Sequence, residues 1–93
     1  MSYLPAVNNL MAFEAVARRR SFAPAATELH LTASAISHQV ARLELQLGVR
    51  LFERSAHGVR LSAAGENYLV RVGGALSAIA AATDDLRQGV SNS

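Results

Sequence analysis

Residues Ser21 to Gly48 read SFAPAATELHLTASAISHQVARLELQLG and divide into a short helix, a tight turn and a longer second helix. The short helix is expected from about Pro24 to His30, since proline is tolerated at the first helical position. Ala25, Ala26 and Leu29 fall at its packing positions, and the two alanines let a second helix approach closely. Phe22 is expected to plug the core just ahead of it. Thr32 opens the longer helix as an N-cap, its hydroxyl accepting from a backbone N–H that has no helical partner. Ile36, Val40, Leu43 and Leu47 then recur at helical spacing as one apolar stripe. The opposite side carries Ser34, His38, Ala41, Arg42 and Leu45, with Ser37 at its flank. Gly48 suits the position just past the helix end, where the backbone often turns left-handed. Together these features lay out a helix-turn-helix, whose second helix enters the DNA major groove.

Downstream, VRLFERSAHGVRL (Val49 to Leu61) changes character. Arg50 to Arg54 and Val59 to Leu61 read as two short strands, joined by a Ser55-Ala56-His57-Gly58 turn in which Gly58 is free to take positive φ. Such a hairpin is a wing beside the second helix. Ser62 then caps a long helix from Ala63 to about Gln88. Its apolar residues Leu69, Val72, Leu76 and Ile79, then Thr83 and Leu86, alternate in steps of three and four, the seam of a helix pair. Two readings are open for that seam: it meets a second copy of itself, or it folds back on the first helix. Gly73 and Gly74 interrupt the helix interior, at a cost of roughly 1 kcal/mol each against alanine. Gly89 to Ser93 read as a disordered tail.

Upstream, Val7, Leu10, Phe13, Val16 and Ala17 form the apolar stripe of a first helix, from Pro5 or Ala6 to Arg19. Arg18, Arg19 and Arg20 stand where a helix C-terminus favours positive charge; capping and phosphate contact are both open for them.

Composition narrows the function classes. The 93 residues suffice for one small domain, and a 51% apolar content supports a core. All nine basic residues are arginine, and seven of them precede Ser62, against four glutamates there. That part is therefore more basic than the chain as a whole, as nucleic-acid binding requires. Cysteine is absent, and His30, His38 and His57 match no metal-ligand spacing, so no metal or other cofactor is expected. No leader and no membrane-length apolar run is present, which implies a soluble cytoplasmic protein with no membrane partner. The carboxylates are scattered over helix surfaces, with no Gly-rich phosphate loop, so catalysis is not expected.

The stretch from LPAVNNLMAFEAVARRRSF through SFAPAATELHLTASAISHQVARLELQLGVRLFERSAHGVRLSAAGENYL resembles the N-terminal DNA-binding domain of LysR-type transcriptional regulators. AISHQV with the LPAVNNL opening is most similar to the branch of glycine-cleavage and β-lactamase activators. The resemblance implies a mainly α, winged helix-turn-helix domain over residues 1–62 and a linker helix over 63–88 that pairs two subunits. It implies base contacts from the start and exposed face of the second helix of the motif: Thr32, Ala33, Ser34, Ser37, His38 and Arg42. Of these Arg42 reads better as a phosphate contact. Arg54 is expected on the DNA backbone and His57 at the wing tip. Alanine stands at position 33 where the family often has glutamine, and it can offer only a methyl contact to thymine. His38 and His57 stand where arginine is frequent, and Ala23 replaces a usual threonine cap.

The implied partners are double-stranded DNA carrying an inverted repeat and a second copy of the chain, joined through Leu69, Val72, Leu76, Ile79, Thr83 and Leu86. Full-length members carry a C-terminal effector-binding domain. This chain is therefore expected to be a DNA-binding fragment, and a small-molecule effector to act only through that missing domain. The competing reading is a coiled-coil protein-interaction module without specific DNA readout.

Overall fold

The computed structural model describes residues 3–91. It contains helices α1 (Val7–Arg19), α2 (Phe22–Leu29) and α3 (Ala33–Leu47), strands β1 (Phe52–Ser55) and β2 (Gly58–Leu61), and helix α4 (Ala63–Ser91). The expected winged helix-turn-helix with a two-stranded wing and a long C-terminal helix is the architecture observed.

The three short helices enclose one core of Ala12, Phe13, Ala15, Val16, Ala17, Ala25, Ala26, Ile36, Val40 and Leu43, closed below by Leu51 and Phe52. Alanines supply five of these positions on α1 and α2, so the helices approach closely while Phe13, Ile36 and Leu43 fill the space between them. Phe52 meets Phe13 at 5.5 Å between ring centroids, and Tyr68 of α4 meets Phe13 at 5.6 Å. Tilted aromatic pairs of this kind add specific attraction to the area they bury.

Several boundaries differ from the sequence reading. Helix α1 begins at Val7, and Val7 itself is half exposed, whereas Asn9 of the same turn is buried. Helix α2 begins at Phe22, with Ser21 as its extended N-cap residue, two residues ahead of the expected start at Pro24. Pro24 then falls within the first turn, where no backbone N–H has a helical acceptor, so its missing donor costs nothing. Helices α1 and α2 end on left-handed Arg20 and His30, whose N–H groups close back on Val16 and on Ala26 and Thr27. Helix α3 starts at the Thr32 cap and stops at left-handed Gly48, as expected.

Strand β1 begins at Phe52 rather than Arg50. The N–H of Leu51 goes to the Glu44 carboxylate at 2.8 Å, and its carbonyl accepts from Ser62 at 2.9 Å, so this residue ties helices together instead of joining a ladder. The antiparallel register pairs Phe52 with Leu61 and Ser55 with Gly58, leaving Ala56 and His57 as a two-residue loop. Gly58 has φ +113°, a conformation closed to most side chains.

Ser62 caps α4: its Oγ accepts from the Gly65 N–H at 3.0 Å and donates to the Arg50 carbonyl at 2.7 Å. The helix packs against α1 and β2 through its first turns, where Tyr68 and Leu69 reach the core. From Ser77 through Val90 every residue is exposed. The helix also continues through Gly89, Val90 and Ser91, which the sequence reading placed in a disordered tail; Asn92 and Ser93 lie outside the described residues. A glycine weakens a helix by about 1 kcal/mol but does not terminate it. Among the described residues no helix is long and apolar enough to cross a membrane.

Candidate nucleic-acid interface

The α2–α3 turn is held by Leu31, whose N–H donates to Ala26 O at 2.9 Å, and by the left-handed His30. Thr32 Oγ1 then accepts from the Ala35 N–H at 3.0 Å. The cap holds Thr32, Ala33 and Ser34 exposed at the start of α3. His38 and Arg42 follow one and two turns later, also exposed, and flank a shallow apolar hollow formed with Ala41 and Leu45. Leu45 is 82% exposed although large and apolar.

Ser37 differs from its neighbours. It is half-buried, and its Oγ accepts from Arg54 Nη2 at 3.3 Å. Arg54 alternates onto the same face of the hairpin as Phe52, which turns it toward α2 and α3. There its guanidinium lies 4.6 Å above the Phe22 ring, a cation–π arrangement. Phe22 in turn meets Phe52 edge-on at 6.3 Å. The wing is thus joined to α3 through one arginine resting on an aromatic platform continuous with the core.

Glu44 is the second brace. Its Oε2 accepts from the Leu51 N–H at 2.8 Å and the Phe52 N–H at 3.2 Å, while its carbonyl accepts from Gly48 and Val49. One residue therefore accepts from four backbone donors between α3 and the wing, those of Gly48, Val49, Leu51 and Phe52. Sequence reasoning missed Glu44, because its carboxylate meets donors that only the folded loop brings close. At the wing tip His57 is exposed, and its backbone N–H donates to Ser55 Oγ at 3.2 Å.

The arginines divide into two groups. Arg18 is clamped between Glu14 and Glu28 at 2.8 and 2.6 Å, and Arg19 reaches Glu28 at 2.7 Å. Hydrogen bonds from Arg18 and then Arg19 hold the Glu28 carboxyl down at about 2, and those from Glu14 and Glu28 push Arg18 upward. These two arginines tie α1 to α2. The Glu14–Arg18 spacing of four residues is a sequence signal for one of these three ion pairs. Among the described residues, no carboxylate pairs with Arg42, Arg50, Arg54 or Arg60.

The seam residues fall into two sets. Leu69, Val72 and Leu76 are half-buried; Ile79, Thr83 and Leu86 are exposed. The fold-back on α1 thus accounts for the first part of the seam only. Thr83 Oγ1 donates to Ile79 O at 2.9 Å, so its hydroxyl is satisfied on its own helix.

A capped, exposed helix with a braced hairpin beside it is the reading head of a winged helix-turn-helix DNA-binding domain. The family profile of the bacterial regulatory helix-turn-helix protein, lysR family, matches residues 7–66. The chain is 45% identical to the HTH-type transcriptional activator AmpR of Yersinia enterocolitica over 96% of its own length and 30% of that protein's. It is 41% identical to a glycine cleavage system transcriptional activator homolog of Haemophilus influenzae, over 89% of this chain and 28% of that one. Among solved structures, the CbnR DNA-binding domain in complex with DNA superposes with a TM-score of 0.77 at 35% identity, covering 91% of this chain and 98% of that one. The chain belongs to the LysR family of bacterial helix-turn-helix regulators and corresponds to their DNA-binding domain. It spans less than a third of the length of these curated relatives.

Proposed function

We propose that two copies of this chain pair through α4 and bind an inverted-repeat operator on double-stranded DNA, and so regulate transcription in the cytoplasm. Each α3 enters one of two successive major grooves on the same side of the duplex. Thr32, Ala33, Ser34, Ser37 and His38 face base edges, Arg42 and Arg54 lie toward the phosphates, and His57 reaches the neighbouring minor groove. The observation that carries this reading is the start of α3: a capped row of small side chains, Thr32, Ala33 and Ser34, all exposed. Pairing through α4 is supported by the exposed Ile79 and Leu86, which are 58% and 70% accessible at seam positions. A small-molecule effector would act through a further domain of a longer protein, and no catalytic role is assigned.

The test is selection of duplexes from a randomised library with this chain, followed by anisotropy titrations at two salt concentrations. Recovery of a dyad-symmetric site, bound far better than shuffled duplex, is expected. Affinity should fall with salt at a slope of roughly 0.9 per neutralised phosphate. Enrichment of a single half-site would refute the paired arrangement, and absence of binding at low salt would refute DNA binding itself.

A further inference from the structure

We propose that Arg54 fixes Ser37 as a hydrogen-bond donor toward the major groove, so that the base edge it reads must offer an acceptor. The inference rests on the DNA-reading role proposed above and specifies its chemistry.

A serine hydroxyl has one hydrogen and two lone pairs, so in isolation it reads donors and acceptors alike. Here one side of Ser37 Oγ faces Arg54 Nη2 at 3.3 Å. A guanidinium carries only donors and stays charged, so Oγ can only accept from it. The arginine is favoured in this placement by Phe22, whose ring centroid lies 4.6 Å from its guanidinium carbon, and Phe22 leans on Phe52. The hydroxyl hydrogen must therefore point elsewhere. On a helix its usual outlet is the carbonyl four residues back, as Thr27 uses Ala23 O and Thr83 uses Ile79 O. Ser37 makes no such bond to Ala33, so its hydrogen is left for the groove. Accepting from a cation also polarises the O–H, which strengthens it as a donor and weakens the remaining lone pair toward a second donor.

In the major groove the acceptors are guanine O6 and N7, adenine N7 and thymine O4, whereas cytosine N4 and adenine N6 are donors. Ser37 should thus favour guanine or thymine on the strand it touches and reject cytosine there. Arg54 is a positioning residue in this scheme: it sets which way the serine reads without touching the base.

The test uses the 93-residue chain, its Ser37→Ala and Arg54→Gln variants, and the duplex selected by the parent chain. Circular dichroism first establishes that each variant is folded. The base pair whose preference flattens in Ser37→Ala marks the Ser37 position. There, 7-deazapurine or 5-methylpyrimidin-2-one, which delete a purine N7 or the thymine O4, should weaken the parent by about tenfold, the lower range for a specific base contact. Pyrimidin-2-one, which deletes only the cytosine amino group, should not weaken it. In Arg54→Gln the sensitivity to acceptor deletion should drop to about twofold or less, because the glutamine amide oxygen can take the serine hydrogen. A parent chain that binds its site yet is weakened by loss of the cytosine amino group overturns the proposal and leaves the function standing. So does an Arg54→Gln variant whose analogue profile is unchanged. Failure of the parent to bind any duplex overturns both.

Discussion

Replacing Gly65 by alanine should destabilise the domain far more than any other glycine substitution in α4. A Cβ at this position would fall inside the contact distance of the Leu51 carbonyl oxygen and lie 3.0 Å from Leu61 Cδ2. The carbonyl cannot swing aside. The peptide unit it belongs to is held at both ends, by Ser62 N–H on the oxygen at 2.9 Å and by Glu44 on the Phe52 N–H at 3.2 Å. Relief therefore requires the start of α4 to back away, which breaks the bonds from Ser62 Oγ to the Arg50 carbonyl and from Ser62 N–H to the Leu51 carbonyl, at 2.7 and 2.9 Å. Two lost hydrogen bonds cost about 1 kcal/mol each, and overpacking about 1–3 kcal/mol, while alanine returns at most about 1 kcal/mol of helix propensity. The net is about 2–4 kcal/mol, or a fall in Tm of about 10 °C or more for a domain of this size. Thermal unfolding followed by far-UV circular dichroism at one fixed protein concentration measures it. Gly74→Ala is the matched control: nothing lies within 4 Å of its added Cβ, so stability should rise by up to about 1 kcal/mol. A Gly65→Ala chain within about 0.5 kcal/mol of the parent would refute the tight seating of α4 on Leu51.

Other expected outcomes follow from the same contacts. Glu44→Ala strands the partly buried N–H groups of Leu51 and Phe52 and should cost at least about 2 kcal/mol in urea unfolding, since each unsatisfied donor costs about 1–3 kcal/mol. Glu28 has its folded-state pKa held below the ordinary 4.5, at about 2, so its ion pairs add stability above that ordinary value and lose it as pH falls from about 4.5 toward 2. Glu28→Gln should flatten the urea midpoint across that window; an unchanged acid slope would mean that the pairs contribute nothing. Leu86→Asp, at a residue 70% exposed, should leave the Tm of a dilute sample unchanged yet shift sedimentation from dimer to monomer. If it remains a dimer, the α4 seam is not the pairing surface. Thr32→Ala removes the α3 cap and should cost about 1 kcal/mol of stability besides any effect on DNA.

Local chemistry made much of this fold legible. Thr32, Gly48, Gly58 and Ser62 each announce a cap or turn through a property of one residue, and the structure places all four as that property demands. The exposed side of α3 follows from the Ile36, Val40 and Leu43 stripe on its other side. What escaped depends on tertiary distance. Arg54 reads as a surface cation until the hairpin register puts it on the Phe52 face, above Phe22 and beside Ser37. Glu44 reads as one more helix charge until the loop folds its N–H groups onto it. The start of α2 was misplaced because Pro24 signals a first turn without saying which residue of that turn it occupies.

Gly73 and Gly74 lie just before Leu76, the last half-buried residue of α4, and neither has a neighbour that requires a glycine. Seen mechanically, α4 is a lever with a soft point near its middle. From Gly74 to Ser91 the arm is about 26 Å long at the helical rise, so a bend of about 10° at the glycines sweeps its end through about 4.5 Å. That exceeds the rise of one base-pair step, about 3.4 Å. Two reading heads joined at such arms would settle on sites whose half-site spacing differs by a base pair, where alanines at both positions would hold them to one spacing.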